Sequence, residues 1–209
     1  MEGGITISRH IVRGLLMVAA KYSDREQICG LLFETDEANL YVVATDAKIL
    51  LAMRSDRPES VAAGQRFVAP RSLFRQPERF DDYTVSWDRE TGKVSVDTMI
   101  DFGGRVTLTA DVPAKRFPNW REVIPARVVP GETVLDPRLM RRLQKAAVVM
   151  DACGEYGVRF ATQTGKAALV SFGGRPDVIG CVMPVRVEAL PPALTEAPAW
   201  AVEPVAAEA

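Results

Sequence analysis

With 209 residues, 47% of them hydrophobic and 25% charged, the chain is long enough for one sizeable core or two small ones and too apolar for overall disorder. Twenty-six Lys and Arg against 27 Asp and Glu leave a net charge of −1, so bulk charge selects neither nucleic acid nor a membrane surface. The start, MEGGITISRH, is no secretory pattern, and no apolar run approaches the roughly 18 residues that span a bilayer, so a cytoplasmic protein is expected.

The chain opens with a short β-like piece, Ile5-Thr6-Ile7, then Ser8 in the N-cap position of a helix. Ile11, Leu15, Val18 and Tyr22 carry the helical spacing to about Tyr22. From Ile28 to Met53 the pattern turns β-like: an apolar run bends at Glu34-Thr35-Asp36-Glu37, resumes at Leu40, and breaks at Thr45-Asp46-Ala47 before Lys48 to Met53. A polar corner of this kind between two apolar strands can wall a shallow groove. Residues 58–64 are small and polar and read as a linker.

The order then repeats. Gln65 to Val68 is a strand, Pro70 opens a short helix with Leu73 and Phe74 inward, and DYTVSW, GKVSVDT and RVTLTADV alternate as three strands. Later, Glu132 to Leu135 reads as a strand, Asp136-Pro137 caps a helix to about Met150, and GVRFAT, KAALVSF and VIGCVMPVR supply three more strands. These three units share an order of elements rather than a sequence. Residues 188–209 read as a flexible Pro, Ala and Glu tail with the isolated Trp200.

Charge follows the same division. Arg9, Arg13 and Lys21 belong to the first predicted helix, Arg71 and Arg75 to the second, and Arg138, Arg141, Arg142 and Lys145 to the third. A basic helix layer in a nearly neutral chain suggests a face for a polyanion, and the scarcity of aromatic and amide partners there predicts sequence-independent, salt-sensitive contact with phosphates.

Catalysis has little support. His10 is the sole histidine and has no nucleophile at a recognisable spacing, and the acidic pairs Asp36-Glu37 and Asp81-Asp82 fall at turns, where carboxylates serve local hydrogen bonds. Cys29, Cys153 and Cys181 are odd in number, lie in apolar contexts and form no CxxC pair, so they read as reduced packing residues with no metal. Phe172-Gly173-Gly174-Arg175 precedes a strand rather than a helix and reads as a hairpin turn, not a phosphate loop. No cofactor is expected.

Three stretches go beyond pattern. LLFETDEANLYVVATD (31–46), RFPNWREVIP (116–125) and VMPVR (182–186), in this order, resemble the signature stretches of the bacterial sliding clamp, the β subunit of DNA polymerase III. The resemblance covers about residues 5–187 and implies a complete clamp-like domain of two units over 1–125 and a clamp-like half domain over 126–187. It implies an α+β DNA-clamp fold of repeated strand-helix-three-strand units, with antiparallel sheets outside and basic helices inside. It also implies a pocket for a short peptide carried by polymerases, a clamp loader and repair proteins, walled here by Ile28 of the first strand, Thr45, Ala47, Lys48, Leu50, Pro118, Val123, Cys181 and Met183.

This chain departs from the family at Ala47-Lys48-Ile49, where Gly-His-Arg usually follows Thr-Asp, and at Glu122, where a basic residue is common. Peptide preference is expected to differ accordingly. It also has three units where a family protomer has six, so a homo-oligomer is expected, with four chains to a twelve-unit ring. The resemblance implies a non-enzymatic processivity factor that encircles duplex DNA, touching it through Arg9, Arg13, Arg71, Arg75, Arg138, Arg141, Arg142 and Lys145. The halved length supports another reading: a truncated interaction protein that keeps the pocket and competes with a full clamp without encircling DNA.

Overall fold

The structure is a computed structural model that describes residues 4–74, 82–100, 104–151 and 157–185. Arg75, Cys153 and the expected tail 188–209 with Trp200 lie outside the described residues.

The first unit runs β1 (Ile5–Ile7), α1 (Arg9–Val18), β2 (Gly30–Thr35), β3 (Asn39–Thr45) and β4 (Ile49–Asp56). Ser8 precedes α1, whose Ile11, Leu15 and Val18 are buried as their spacing requires. The helix stops at Val18, four residues short of the expected end, and Tyr22 is 88% exposed instead of continuing the apolar stripe. A 3₁₀ turn, Glu26–Ile28, leads into β2, so Ile28 belongs to this turn and not to a strand.

The second unit runs β5 (Arg66–Pro70), a 3₁₀ turn Arg71–Phe74, β6 (Tyr83–Asp88), β7 (Lys93–Ile100) and β8 (Gly104–Asp111). Pro70 ends the strand rather than opening a helix, and Leu73 and Phe74 are buried by the single turn that follows. The third unit has α2 (Pro137–Val149), β9 (Val158–Ala161), β10 (Ala168–Phe172) and β11 (Val178–Val182). Asp136 caps α2 by accepting the Arg138 N–H at 2.8 Å, with Pro137 at the first position, where no amide hydrogen is needed. Glu132–Leu135 is not a strand.

Two antiparallel sheets result, ordered β1-β6-β7-β8 and β5-β2-β3-β4-β11-β10-β9. The first two units therefore exchange their opening strands, β1 joining β6 and β5 joining β2, and the third unit extends the larger sheet through β4 and β11. The expected 132–135 strand fails because, among the described residues, no receiving strand stands beside it. Lacking cross-strand partners, its backbone makes isolated bonds, with the Val134 carbonyl accepting from the Val185 N–H at 2.8 Å.

The two helices pack antiparallel against each other and against the sheets. They meet without room for a side chain at Gly14, where a Cβ would lie 2.1 Å from Met150 Cγ. One core joins α1, α2 and the inner faces of both sheets, including the stacked rings of Phe33 and Phe67, 5.3 Å apart. A second cluster lies on the other face of the larger sheet, where Phe117 and Trp120 cover Leu32, Val43, Leu50, Ala52, Val68 and Cys181. Burial on both faces explains why Ile28 to Met53 reads as nearly continuous apolar sequence, whereas β8, with one solvated face, alternates along its length. No helix of the described residues is long and apolar enough to cross a membrane.

Candidate functional site

The joint between β4 and β11 places Cys181 opposite Leu50 and Val182 opposite Ile49, and the Met183 N–H donates to the Lys48 carbonyl at 2.8 Å. This ladder brings the last strand of the third unit against the corner of the first.

The corner is closed by its own side chains. The Asp46 carboxylate accepts the N–H groups of Lys48 and Ile49 at 2.8 and 2.9 Å, while the Thr45 hydroxyl accepts the Ala47 N–H at 3.0 Å and donates to the Ile49 carbonyl at 2.7 Å. Thr45 is thus spent on the turn and is no polar handle for a ligand. Ala47 has φ 73°, a left-handed conformation that favours glycine. From the other side, the Ala20 N–H is shared between the carbonyls of Ile28 and Thr45 at 3.1 and 3.2 Å, which ties the end of α1, the 3₁₀ turn and the corner together.

The third wall is the link after β8. Arg121 stacks its guanidinium 4.7 Å from the Tyr41 ring centre and 4.2 Å from that of Trp120, and pairs with Glu34. Arg66 approaches the same carboxylate at 3.4 Å, and Asn119 donates to Glu122 at 2.7 Å. Fastened in this way, the link seats Phe117 and Trp120 on the sheet and leaves Pro118 and Val123 at the surface.

Together these walls enclose a hollow of about 170 Å³ lined by all nine residues expected there: Ile28, Thr45, Ala47, Lys48, Leu50, Pro118, Val123, Cys181 and Met183. Arg25, Ile49, Phe117 and Trp120 also line it. Phe117 and Trp120 are not among the residues expected from the sequence although they lie within RFPNWREVIP; two large aromatics in an otherwise polar link are the signal for them. The hollow is mainly apolar, with Arg25 and Lys48 as its cationic edge. Burial pushes the Cys181 thiol up to about 11, so it stays protonated at neutral pH and acts as part of the apolar wall.

Ile28 and Lys48 also border a larger cleft of about 880 Å³, which gathers Lys21, Arg71, Arg138, Arg142 and Lys145 with the acids Asp46 and Asp136. Four of the expected phosphate-contacting cations meet there, but two serve α1. Arg142 donates to the carbonyls of Met17 and Val18 at 3.0 to 3.2 Å and pairs with Asp46, and Arg71 donates to the Leu16 carbonyl at 2.7 Å. Helix α1 has no basic residue in its last turn, and these two arginines supply the missing C-terminal donors and positive charge. Arg138 is bound to its own cap residue, Asp136, while remaining 88% exposed. Arg13 and His10 line a separate hollow of about 740 Å³ at the other end of the helix pair, Arg9 is half-buried at the start of α1, and Arg141 is exposed on α2.

No protein-family model matches the chain, and no curated protein matches it by sequence. Solved structures do. A sliding clamp (DNA polymerase III subunit β) from Bartonella birtlesii bound to griselimycin superposes with a TM-score of 0.65 at 16% identity, over 88% of this chain and 66% of that one. The β subunit from Thermotoga maritima gives 0.65 at 14% identity over 90% and 67%, and a Helicobacter pylori β clamp bound to a DNA ligase peptide gives 0.63 at 11% identity over 89% and 66%. The chain spans about two thirds of the length of each of these clamps. It has the fold of the bacterial sliding clamps, in shortened form: an α+β arrangement of antiparallel sheets with paired helices.

Proposed function

We propose that the chain is a clamp-like processivity factor, a non-enzymatic protein that tracks or encircles duplex DNA as a homo-oligomer and holds polymerases, a clamp loader or repair proteins through a short peptide in the β4–β11 pocket. The observation that carries this reading is the convergence of nine residues from four separated stretches on one apolar hollow, in a fold whose Helicobacter pylori relative is bound to a DNA ligase peptide. Aliphatic and sulfur-containing walls suit an adaptable apolar anchor, and the cationic edge at Arg25 and Lys48 suits a carbonyl or carboxylate beside it. Residues 1–125 act as a complete clamp-like domain and 126–187 as a half domain that closes the pocket. The helix side meets phosphates through Arg9, Arg13, Arg138, Arg141 and Lys145, with Arg71 and Arg142 contributing from behind.

The test is fluorescence anisotropy with a labelled peptide bearing a Gln and a Leu-Phe end. Val123 and Met183 are 38% and 41% exposed, so Val123→Glu and Met183→Glu place charge in the pocket without opening the core. Each is expected to weaken binding at least tenfold with an unchanged melting temperature; binding that ignores both variants overturns the pocket reading. The shortened length favours a second reading, a competitor that keeps the pocket but does not encircle DNA. Retention on closed circular DNA that is lost on linearising separates the two.

A further inference from the structure

The chain applies one pairing rule twice. The opening strand of the first unit, β1, runs antiparallel to β6 of the second, and the opening strand of the second, β5, runs antiparallel to β2 of the first. In both pairs the last residue of the opening strand faces the first residue of the receiving strand, Ile7 opposite Tyr83 and Pro70 opposite Gly30. The exchange is reciprocal, as a local twofold axis requires. It completes the core: Ile5, Ile7, Leu31, Phe33, Tyr83 and Val85 are all at most 4% exposed.

The third unit has both halves of this exchange open. Segment Glu132–Leu135 precedes the cap residue Asp136 as β1 precedes Ser8, yet it joins no sheet; Gly131 donates to the Thr162 carbonyl at 3.2 Å and Val134 accepts from Val185. Strand β9, the counterpart of β2 and β6, ends the seven-stranded sheet opposite β5, and no described strand pairs with its outer side. Its inward Val158 and Phe160, with Leu135, are only half-buried where their counterparts are sealed, and Val134 is 37% exposed.

We propose that a second copy of this chain completes the third unit by the same reciprocal exchange, segment 132–135 of each copy adding antiparallel to the β9 edge of the other. The occupant must offer both an unplaced opening strand and an open receiving edge. Among the described residues units one and two have filled each other's, and the third unit of another copy offers both at once. Transferring the pairing rule puts Leu135 opposite Val158 of the partner subunit, Val134 opposite Arg159 of the partner subunit and Thr133 opposite Phe160 of the partner subunit. Glu132 then lies diagonal to Arg159 of the partner subunit on the outer face, an acid and a base within reach across the pairing, where Arg66 and Glu34 stand directly opposite each other across β5 and β2. The pairing gives the homo-oligomer proposed above a specific surface, rests on that reading, and is independent of what the pocket binds.

The test combines light scattering on the full chain with a Val134→Cys/Arg159→Cys double variant oxidised under mild conditions. A dimer is expected, with a covalent dimer whose disulfide maps to 134 and 159 and neither in the single variants. Val134→Pro, which removes an N–H from the exchanging segment, is expected to shift the dimer to monomer without changing the circular dichroism spectrum. An oligomer that forms no 134–159 disulfide and ignores Val134→Pro overturns this surface but leaves the oligomer reading standing. A monodisperse monomer at high micromolar concentration overturns both.

Discussion

Ala47 sits at the pocket's corner with φ 73°, a conformation that costs a residue with a Cβ about 1–2 kcal/mol relative to glycine. Part of that gain is offset because glycine loses more backbone freedom on folding, by roughly 0.5–1 kcal/mol. Ala47→Gly is therefore expected to stabilise the chain by about 0.5–1 kcal/mol, read as a rise of a few degrees in melting temperature. The replacement also removes a methyl from the pocket's rim. Cys181 makes a second test of the same site. With its thiol pushed up to about 11 by burial, it should resist iodoacetamide at pH 8 while half-exposed Cys29 is alkylated, as peptide mass spectrometry would record. Rapid labelling of Cys181 would mean that the β4–β11 joint opens readily. Asp36, in the β2–β3 turn, accepts the N–H groups of Asn39 and Ala38 at 2.7 and 2.9 Å and the Tyr41 hydroxyl at 2.9 Å, and its carboxyl is held down to about 2. A depressed carboxylate stabilises the fold above the unfolded value near 4 and loses that contribution as pH falls through about 2. Asp36→Asn should thus lower stability at pH 7 and make little difference at pH 2, by chemical denaturation at both.

The helix pair separates cations that hold the fold from cations available to a ligand. Removing the Arg142 side chain leaves the Met17 and Val18 carbonyls and Asp46 without its donors, so Arg142→Ala is expected to cost about 1–3 kcal/mol in stability. Arg141→Ala and Lys145→Ala, on the exposed face of the same helix, should leave the melting temperature within a degree or so and instead reduce the salt dependence of DNA binding. The difference between Arg141 and Arg142 was not readable from the sequence, because both belong to one basic run and only the antiparallel crossing of α1 and α2 decides which reaches the end of α1. The elements themselves were largely readable: strands and helices follow from period-two and 3.6-residue spacing, and the order of units from their repetition. What failed was whatever depends on a neighbour. Glu132–Leu135 has strand-like residues but no receiving strand, and Tyr22 continues the spacing of α1 beyond the point where the chain leaves the helix. The corner at Thr45-Asp46-Ala47 marked one wall of a groove by itself, but the other walls are legible only through the family resemblance, since Leu50, Cys181 and Pro118 are ordinary core or link residues until β4 and β11 pair.

The proposed peptide pocket and the proposed hold on DNA place different demands on assembly. Every wall of the pocket comes from one chain, with β4, the 3₁₀ turn, the link and β11 held by contacts within it. The proposed encirclement of DNA would instead join several chains. Two copies joined through their third units would carry six units, with β1, β5 and β8 of each copy as the remaining edge strands among the described residues. The two proposed activities should therefore respond differently to dilution. Peptide affinity, measured by anisotropy with the peptide at trace concentration, is expected to follow a simple one-site curve and to be the same for the Val134→Pro monomer. Retention on closed circular DNA should rise more steeply than linearly with chain concentration, vanish in the same monomer and vanish on linearising the circle. If the monomer retains circular DNA as well as the parent chain does, topology plays no part in holding the duplex. Its grip would then be the screened contact of Arg13, Arg138, Arg141 and Lys145 with phosphates alone, and would fall off with salt equally on circles and on linear DNA.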